Sequence, residues 1–116
     1  MSYPELLVDR VKLQHNVKTL LAMAAPSGLQ IHFVTKCICG WRPIVEAMNE
    51  AGADYFADSR VENLANIQDI GLSRMMVRIP MQSQAMDTVR YSDLSLNSDL
   101  SVIESLSDAA LALERT

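Results

Sequence analysis

The sequence predicts an α/β fold of parallel βα repeats, about five βα units in 116 residues. Three observations predict it. Short runs rich in β-formers alternate with longer stretches whose apolar residues follow a 3.6-residue period. The short runs recur roughly 20–25 residues apart. Helix-starting and helix-stopping residues sit at the junctions. Strands that alternate with helices pair in parallel, because each helix carries the chain back to the starting edge. Two architectures share this pattern. One is a five-stranded doubly wound, flavodoxin-like sheet, complete at this length. The other is part of a (β/α)8 TIM barrel, for which ~250 residues is typical. The pattern alone leaves both open.

Leu6, Leu7 and Val8 form the first short strand, which ends at Asp9. Over residues 10–24, Val11, Leu13, Val17, Leu20, Leu21 and Ala24 make an apolar helical stripe, with Lys12 and Lys18 off it. Pro26, Ser27 and Gly28 stop this helix. Residues 31–35 read as the second strand and residues 36–40 as a turn. Pro43 suits the first position of a helix whose apolar face is Ile44, Val45, Ala47 and Met48, and Gly52 suits its end. Residues 54–58 are the third strand, and Ser59 with Glu62 has the spacing of a capping box before Leu64, Ile67 and Ile70. Residues 75–79 are the fourth strand, with a short helix over 83–90 after it. Residues 93–96 are the fifth strand. The last helix runs from about Asp99, with Val102, Ile103, Leu106, Ala109, Ala110 and Leu113 inside.

Composition narrows the function classes. With 49% hydrophobic and 21% charged residues the chain reads as an ordinary globular protein. No apolar run approaches the ~20 residues of a membrane span, and the N-terminus lacks a basic cluster followed by an apolar stretch. A net charge of −4 argues against a nucleic-acid footprint, which needs a basic face. Cys37 and Cys39 are too close in sequence to staple the fold, so a reducing, cytoplasmic setting fits best. They lack the spacing and the further ligands of a structural zinc site, so no metal is expected and both read as semi-buried fillers.

In both architectures ligands bind at the carboxyl ends of the strands. The sequence places Asp9, Lys36, Asp58 with Ser59, Arg78, and Asn97 with Ser98 there. Cap preference alone accounts for Asp9, Ser59, Asn97 and Ser98. It does not account for Lys36 and Arg78, which extend apolar strands. A lysine beside a glycine turn can be partly desolvated, which frees its amine to act as nucleophile or base, or it can simply reach solvent. Trp41 either covers a ligand or packs the start of its helix. A phospho-receiver reading of the doubly wound sheet would use Asp9 and Asp58. It lacks the second acid beside Asp9 and a lysine after the fifth strand.

The segment Phe-Val-Thr-Lys-Cys-Ile-Cys-Gly, residues 33–40, resembles the lysine strand of the pyridoxal-phosphate barrel enzymes of the alanine racemase N-terminal family. Residues 7–18, with the pair His15-Asn16, resemble that family's opening strand and first helix. Ala-Asp-Ser-Arg-Val-Glu-Asn-Leu at 57–64, Val-Arg-Ile-Pro-Met at 77–81 and Asp-Leu-Ser-Leu-Asn-Ser-Asp-Leu at 93–100 are similar to its alanine/ornithine racemase branch. The resemblance covers nearly the whole chain. It implies that residues 1–116 are the amino-terminal part of a barrel domain, with later strands and a C-terminal domain elsewhere.

The resemblance also implies an amino-acid racemase in which Lys36 binds pyridoxal 5'-phosphate as an aldimine and then moves a proton on one face of the substrate Cα. Glu62, Arg78 and Asn97 are the implied cofactor-lining residues, Glu62 doubling as the capping-box acid. The Asn-x-Tyr-Gly stretch of strict alanine racemases is replaced here by Cys37-Ile38-Cys39-Gly40-Trp41, a departure from that enzyme. The implied complete protein is a homodimer acting on a small amino acid, without nucleic acid or membrane. The 116-residue chain alone is expected to be inactive and, through an open sheet edge, to self-associate. A non-catalytic pyridoxal-phosphate carrier of the same superfamily is the alternative.

Overall fold

Asp9 opens the first helix, α1 (Arg10–Ala24), by accepting the Lys12 backbone N–H on Oδ1 at 3.0 Å. Gly28, in the left-handed region at φ 65°, turns the chain away after it. In this computed structural model, which describes residues 2–116, α1 buries only Val17. Leu13, Leu21 and Ala24 are half-buried, whereas Val11 and Leu20 of the predicted stripe are exposed. The helix touches the next helix along one line and presents the remainder of its stripe to solvent.

Four strands pair: β1 (Phe33–Val34), β2 (Tyr55–Asp58), β3 (Ser73–Met76) and β4 (Leu94–Ser95). All three pairings are parallel, in the order β1-β2-β3-β4. This order corrects one sequence-derived alternative. In a flavodoxin-like sheet, residues 6–8 would lie between β1 and β2. Instead those two strands pair directly, Phe33 opposite Phe56 and Val34 opposite Ala57. Strands added one after another in sequence are the winding that a (β/α)8 barrel uses.

The first predicted strand is also corrected. Residues 6–8 are unpaired, with Leu6 80% and Leu7 85% exposed. An apolar run becomes a strand only where a neighbour takes its backbone hydrogen bonds, and β1, two residues long, has its ladder partner on β2. The fourth strand starts two residues earlier than expected. Asp93 Oδ2 accepts the Arg74 backbone N–H at 2.9 Å and Asp54 O accepts that of Ser73 at 2.8 Å, so pairing begins there. Arg78 and Ile79 fall beyond its end and are exposed.

The remaining helices are α2 (Arg42–Glu50), α3 (Val61–Ala65), α4 (Ala85–Tyr91) and α5 (Leu100–Ala112). Pro43 occupies the first turn of α2, and Gly52 at φ 107° follows its end. Consecutive helices touch: α1 with α2, α3 with α4, and α4 with α5. One core joins Val17, Val45, Ala51, Ala53, Phe56 and Ile67, with Phe33 and Ile38 packed against it. Phe33 and Phe56 are register partners, so the sheet face that carries them meets α1 and α2. Val34, Ala57, Met75 and Leu94 are also in register, on the opposite face, where Val34 and Leu94 are exposed. No helix among the described residues is long and apolar enough to cross a membrane.

Candidate functional site

A parallel sheet delivers every carboxyl end to one edge. Val34, Ala57, Met75 and Leu94 stand side by side, so Lys36, Arg78 and Asn97 all lie two or three residues past that row. Adjacent strands are about 4.8 Å apart, which puts the strand of Lys36 about 10 Å from that of Arg78 and about 14 Å from that of Asn97.

Lys36 opens a 3-10 turn, Lys36–Ile38. The ladder continues one residue past β1, where Thr35 N–H donates to Ala57 O at 2.9 Å. The Ile38 and Gly40 amides both donate to Thr35 O at 3.1 Å, and Cys39 and Gly40 have positive φ, 53° and 61°. The Lys36 side chain is exposed and makes no hydrogen bond or ion pair among the described residues. The partly desolvated pocket is therefore not what surrounds this amine here. Arg78 is likewise exposed and has no carboxylate partner among the described residues. Asn97 turns its amide back onto Ser95, donating to the backbone O at 3.1 Å and to Oγ at 2.9 Å. Its Oδ1 is shielded from solvent and has no partner.

Glu62 stands apart from these three. Its side chain is 61% exposed and reaches the Arg60 guanidinium at 3.7 Å. The capping box with Ser59 does not form. Arg60 is the N-cap of α3, and Asp58 Oδ1 accepts the Arg60 N–H at 2.9 Å instead. The carboxylate two residues earlier reaches the helix entrance from inside the fold, which leaves Glu62 facing solvent.

Asp58 is the polar residue that sequence reasoning missed in this role. It is fully buried. Oδ2 accepts the Thr35 hydroxyl at 2.7 Å, and Oδ1 accepts both the Arg60 N–H and the Asn63 side-chain amide, the latter at 3.1 Å. Thr35 and Asn63 are buried with it. A carboxylate engaged this way is not an accessible phospho-acceptor, which removes the receiver reading. Its signal in the sequence was faint: three polar residues, Thr35, Asp58 and Asn63, each beside an apolar run.

Cys37 and Cys39 are free thiols, both exposed rather than the semi-buried fillers expected. Trp41 is 57% exposed and, with Ile38, Cys39, Pro43 and Asn66, lines an open cavity of about 580 Å³ beside α2. Arg42 closes one side of it through Asp69, Glu46 and the Asn66 carbonyl. The hydrogen bond from Arg42 holds the Asp69 carboxyl below the usual carboxylate range, and the same bond holds Arg42 above its ordinary value. Among the described residues, no three His, Cys, Asp or Glu side chains converge as a metal site.

The arrangement at the strand ends is a free primary amine and a free guanidinium on one edge, above a buried carboxylate. Comparison with known proteins bears on what such an edge does. The family model described as "Alanine racemase, N-terminal domain" matches residues 8–116. An ornithine racemase of Acetoanaerobium sticklandii is 34% identical over 97% of this chain and 32% of its own length. A lysine racemase of Thermotoga maritima is 27% identical over 99% of this chain and 33% of its own length. The chain thus spans about a third of the length of the curated relatives it matches. No solved structure matches it significantly.

Proposed function

This chain belongs to the alanine racemase N-terminal domain family, and we propose that the protein it represents is a pyridoxal-phosphate-dependent amino-acid racemase in which Lys36 holds the cofactor. The observation that carries the reading is the free Lys36 amine at the carboxyl edge of a sequentially wound parallel sheet. The residues present fit the cofactor. An amine without a partner among the described residues suits its aldehyde, and Arg78, with no carboxylate partner among them, suits its anionic group. Asn97 lies on the same edge, with its amide turned onto Ser95.

When bound, pyridoxal phosphate supplies an electron sink for the carbanion formed at the substrate's α-carbon. Lys36 would hold the cofactor, and its amine would take or return the α-proton on one face of that carbon. Arg78 and Asn97 line the pocket. Glu62, exposed at the start of α3 and paired with Arg60, stands apart from this lining. Inversion needs a second proton donor on the opposite face, and none of the residues at this edge is assigned to it.

The sheet is read as part of a (β/α)8 barrel in a homodimeric, cytoplasmic protein, with the 116-residue chain inactive alone. Ornithine and lysine are the substrates to try first, since two relatives are named for them. The test is a chiral assay of the full-length protein, supplied with pyridoxal phosphate, on L-ornithine, L-lysine and L-alanine. Appearance of the D-enantiomer with the wild type and its loss in Lys36→Ala is the expected result. Cofactor retained without any inversion would instead mark a non-catalytic carrier.

A further inference from the structure

We infer that Asp58 and Asn63 are positioning residues that fix the turn carrying Lys36. This inference rests on the reading of Lys36 as the cofactor lysine. It starts from a closed ring of buried contacts. Thr35 begins the turn, and its hydroxyl donates to Asp58 Oδ2 at 2.7 Å. Asp58 Oδ1 accepts the Asn63 side-chain amide at 3.1 Å. The Asn63 backbone lies against Gly40, where an added Cβ would sit 2.6 Å from Asn63 O. Gly40 ends the turn, and its N–H returns to Thr35 O at 3.1 Å. One end of the 35–40 loop therefore reaches α3 through Asp58, which bonds Asn63, and the other packs directly against the Asn63 backbone.

The ring has a cost that suggests a purpose. Asp58 is fully buried and has no cationic partner among the described residues. Burying a carboxylate that way is expensive unless donors converge on it. Here a hydroxyl, a backbone amide and a side-chain amide converge. A fully satisfied buried network is rigid, because any shift of the turn leaves one of these groups unpaired. The Lys36 amine sits on a flexible four-carbon stem in solvent. Only its backbone root can restrict where the amine goes, and the ring holds that root. A fixed root would keep the amine within reach of a cofactor bound at this edge.

The test uses the full-length protein. It is treated with pyridoxal phosphate, reduced with borohydride and digested. The pyridoxyl adduct on Lys36 is then counted relative to that on Lys18, an exposed lysine of α1. In Asn63→Ala and Thr35→Val the Lys36:Lys18 ratio is expected to fall about tenfold, the scale of a small misplacement of a reacting group. Thr35→Ser, which keeps the hydroxyl, is expected to restore the ratio to within about twofold. Thermal melts identify the variants that remain folded, and an unchanged ratio in a folded Asn63→Ala overturns the inference. A second measurement needs no variant. Hydrogen exchange of the Ile38 and Gly40 amides is expected to be strongly slowed in the wild type, and exchange as fast as in an unstructured peptide overturns the inference. Absence of any Lys36 adduct in the wild type strikes the cofactor reading instead, and hydrogen exchange still decides the ring.

Discussion

Lys36 combines a fixed backbone with a free amine, and the two properties come from different residues. Thr35, Asp58 and Asn63 hold the backbone, while no carboxylate among the described residues reaches ion-pair distance of the amine. Gly40 shows how tightly the turn is drawn. Gly40→Ala must place a Cβ at 2.6 Å from Asn63 O and keep a φ of 61°. It is expected to destabilise the protein by about 1–3 kcal/mol, read as a lower urea midpoint. Asp58→Ala removes the acceptor of the Asn63 amide and of the Arg60 N–H and leaves the Thr35 hydroxyl only the Ala57 carbonyl at 3.4 Å, and is expected to cost about 2–4 kcal/mol in the same assay. The position of Lys36 at the sheet edge was legible in the sequence because it follows an apolar strand and precedes a glycine turn. The role of Asp58 was not legible. Its partners lie 23 residues back and 5 residues ahead, and only the parallel pairing of β1 with β2 brings them together.

At the scale of elements, periodicity placed four helices well and the strands less well, while α3, expected to run through Ile67 and Ile70, ends at Ala65. A helix carries its own hydrogen bonds, so its stripe and caps can be read locally. A strand depends on its neighbours, which is why residues 6–8 look like a strand and do not pair. It is also why β3 begins at Ser73, drawn there by Asp54 and Asp93. A buried Arg74 inside β3 disguised the true strand, since arginine is rarely fully buried. The cap of α5 gives a test of an element whose start was read correctly, although Ile103, expected inside, is exposed. Asp99 accepts the Ser101 hydroxyl and backbone N–H, and these bonds hold its carboxyl below the ordinary aspartate range. A carboxyl lowered on folding stabilises the native state above its unfolded value and loses that contribution as pH falls through the folded value. Asp99→Ala is therefore expected to melt below the wild type at neutral pH, with the gap closing in acid. Melting curves across that range check it, and a gap constant with pH contradicts the cap.

The whole molecule is an open slab of 49 × 43 × 24 Å rather than a closed shell. Its radius of gyration is 15.9 Å, against about 13 Å for a compact domain of this length. Its accessible surface is 7633 Å², against about 6,300 Å² for a monomer of this mass. The excess fits the exposure of Leu6, Leu7, Val34, Leu94 and Leu96. The sheet edges, β1 and β4, are only two residues long each, shorter than the long edge the sequence suggested. The exposed apolar face is thus the larger driver of association. The 116-residue chain on its own is expected to self-associate as its concentration rises, with a growing sedimentation coefficient. A monomer at every concentration contradicts that view. The claim on which the functional account depends is that Lys36 holds pyridoxal phosphate, and its most direct test is peptide mapping of the full-length protein after incubation with the cofactor and borohydride reduction. The account predicts a stoichiometric pyridoxyl adduct on Lys36 that is absent in Lys36→Ala. An adduct spread over Lys12, Lys18 and Lys36 alike, or no adduct at Lys36, contradicts it.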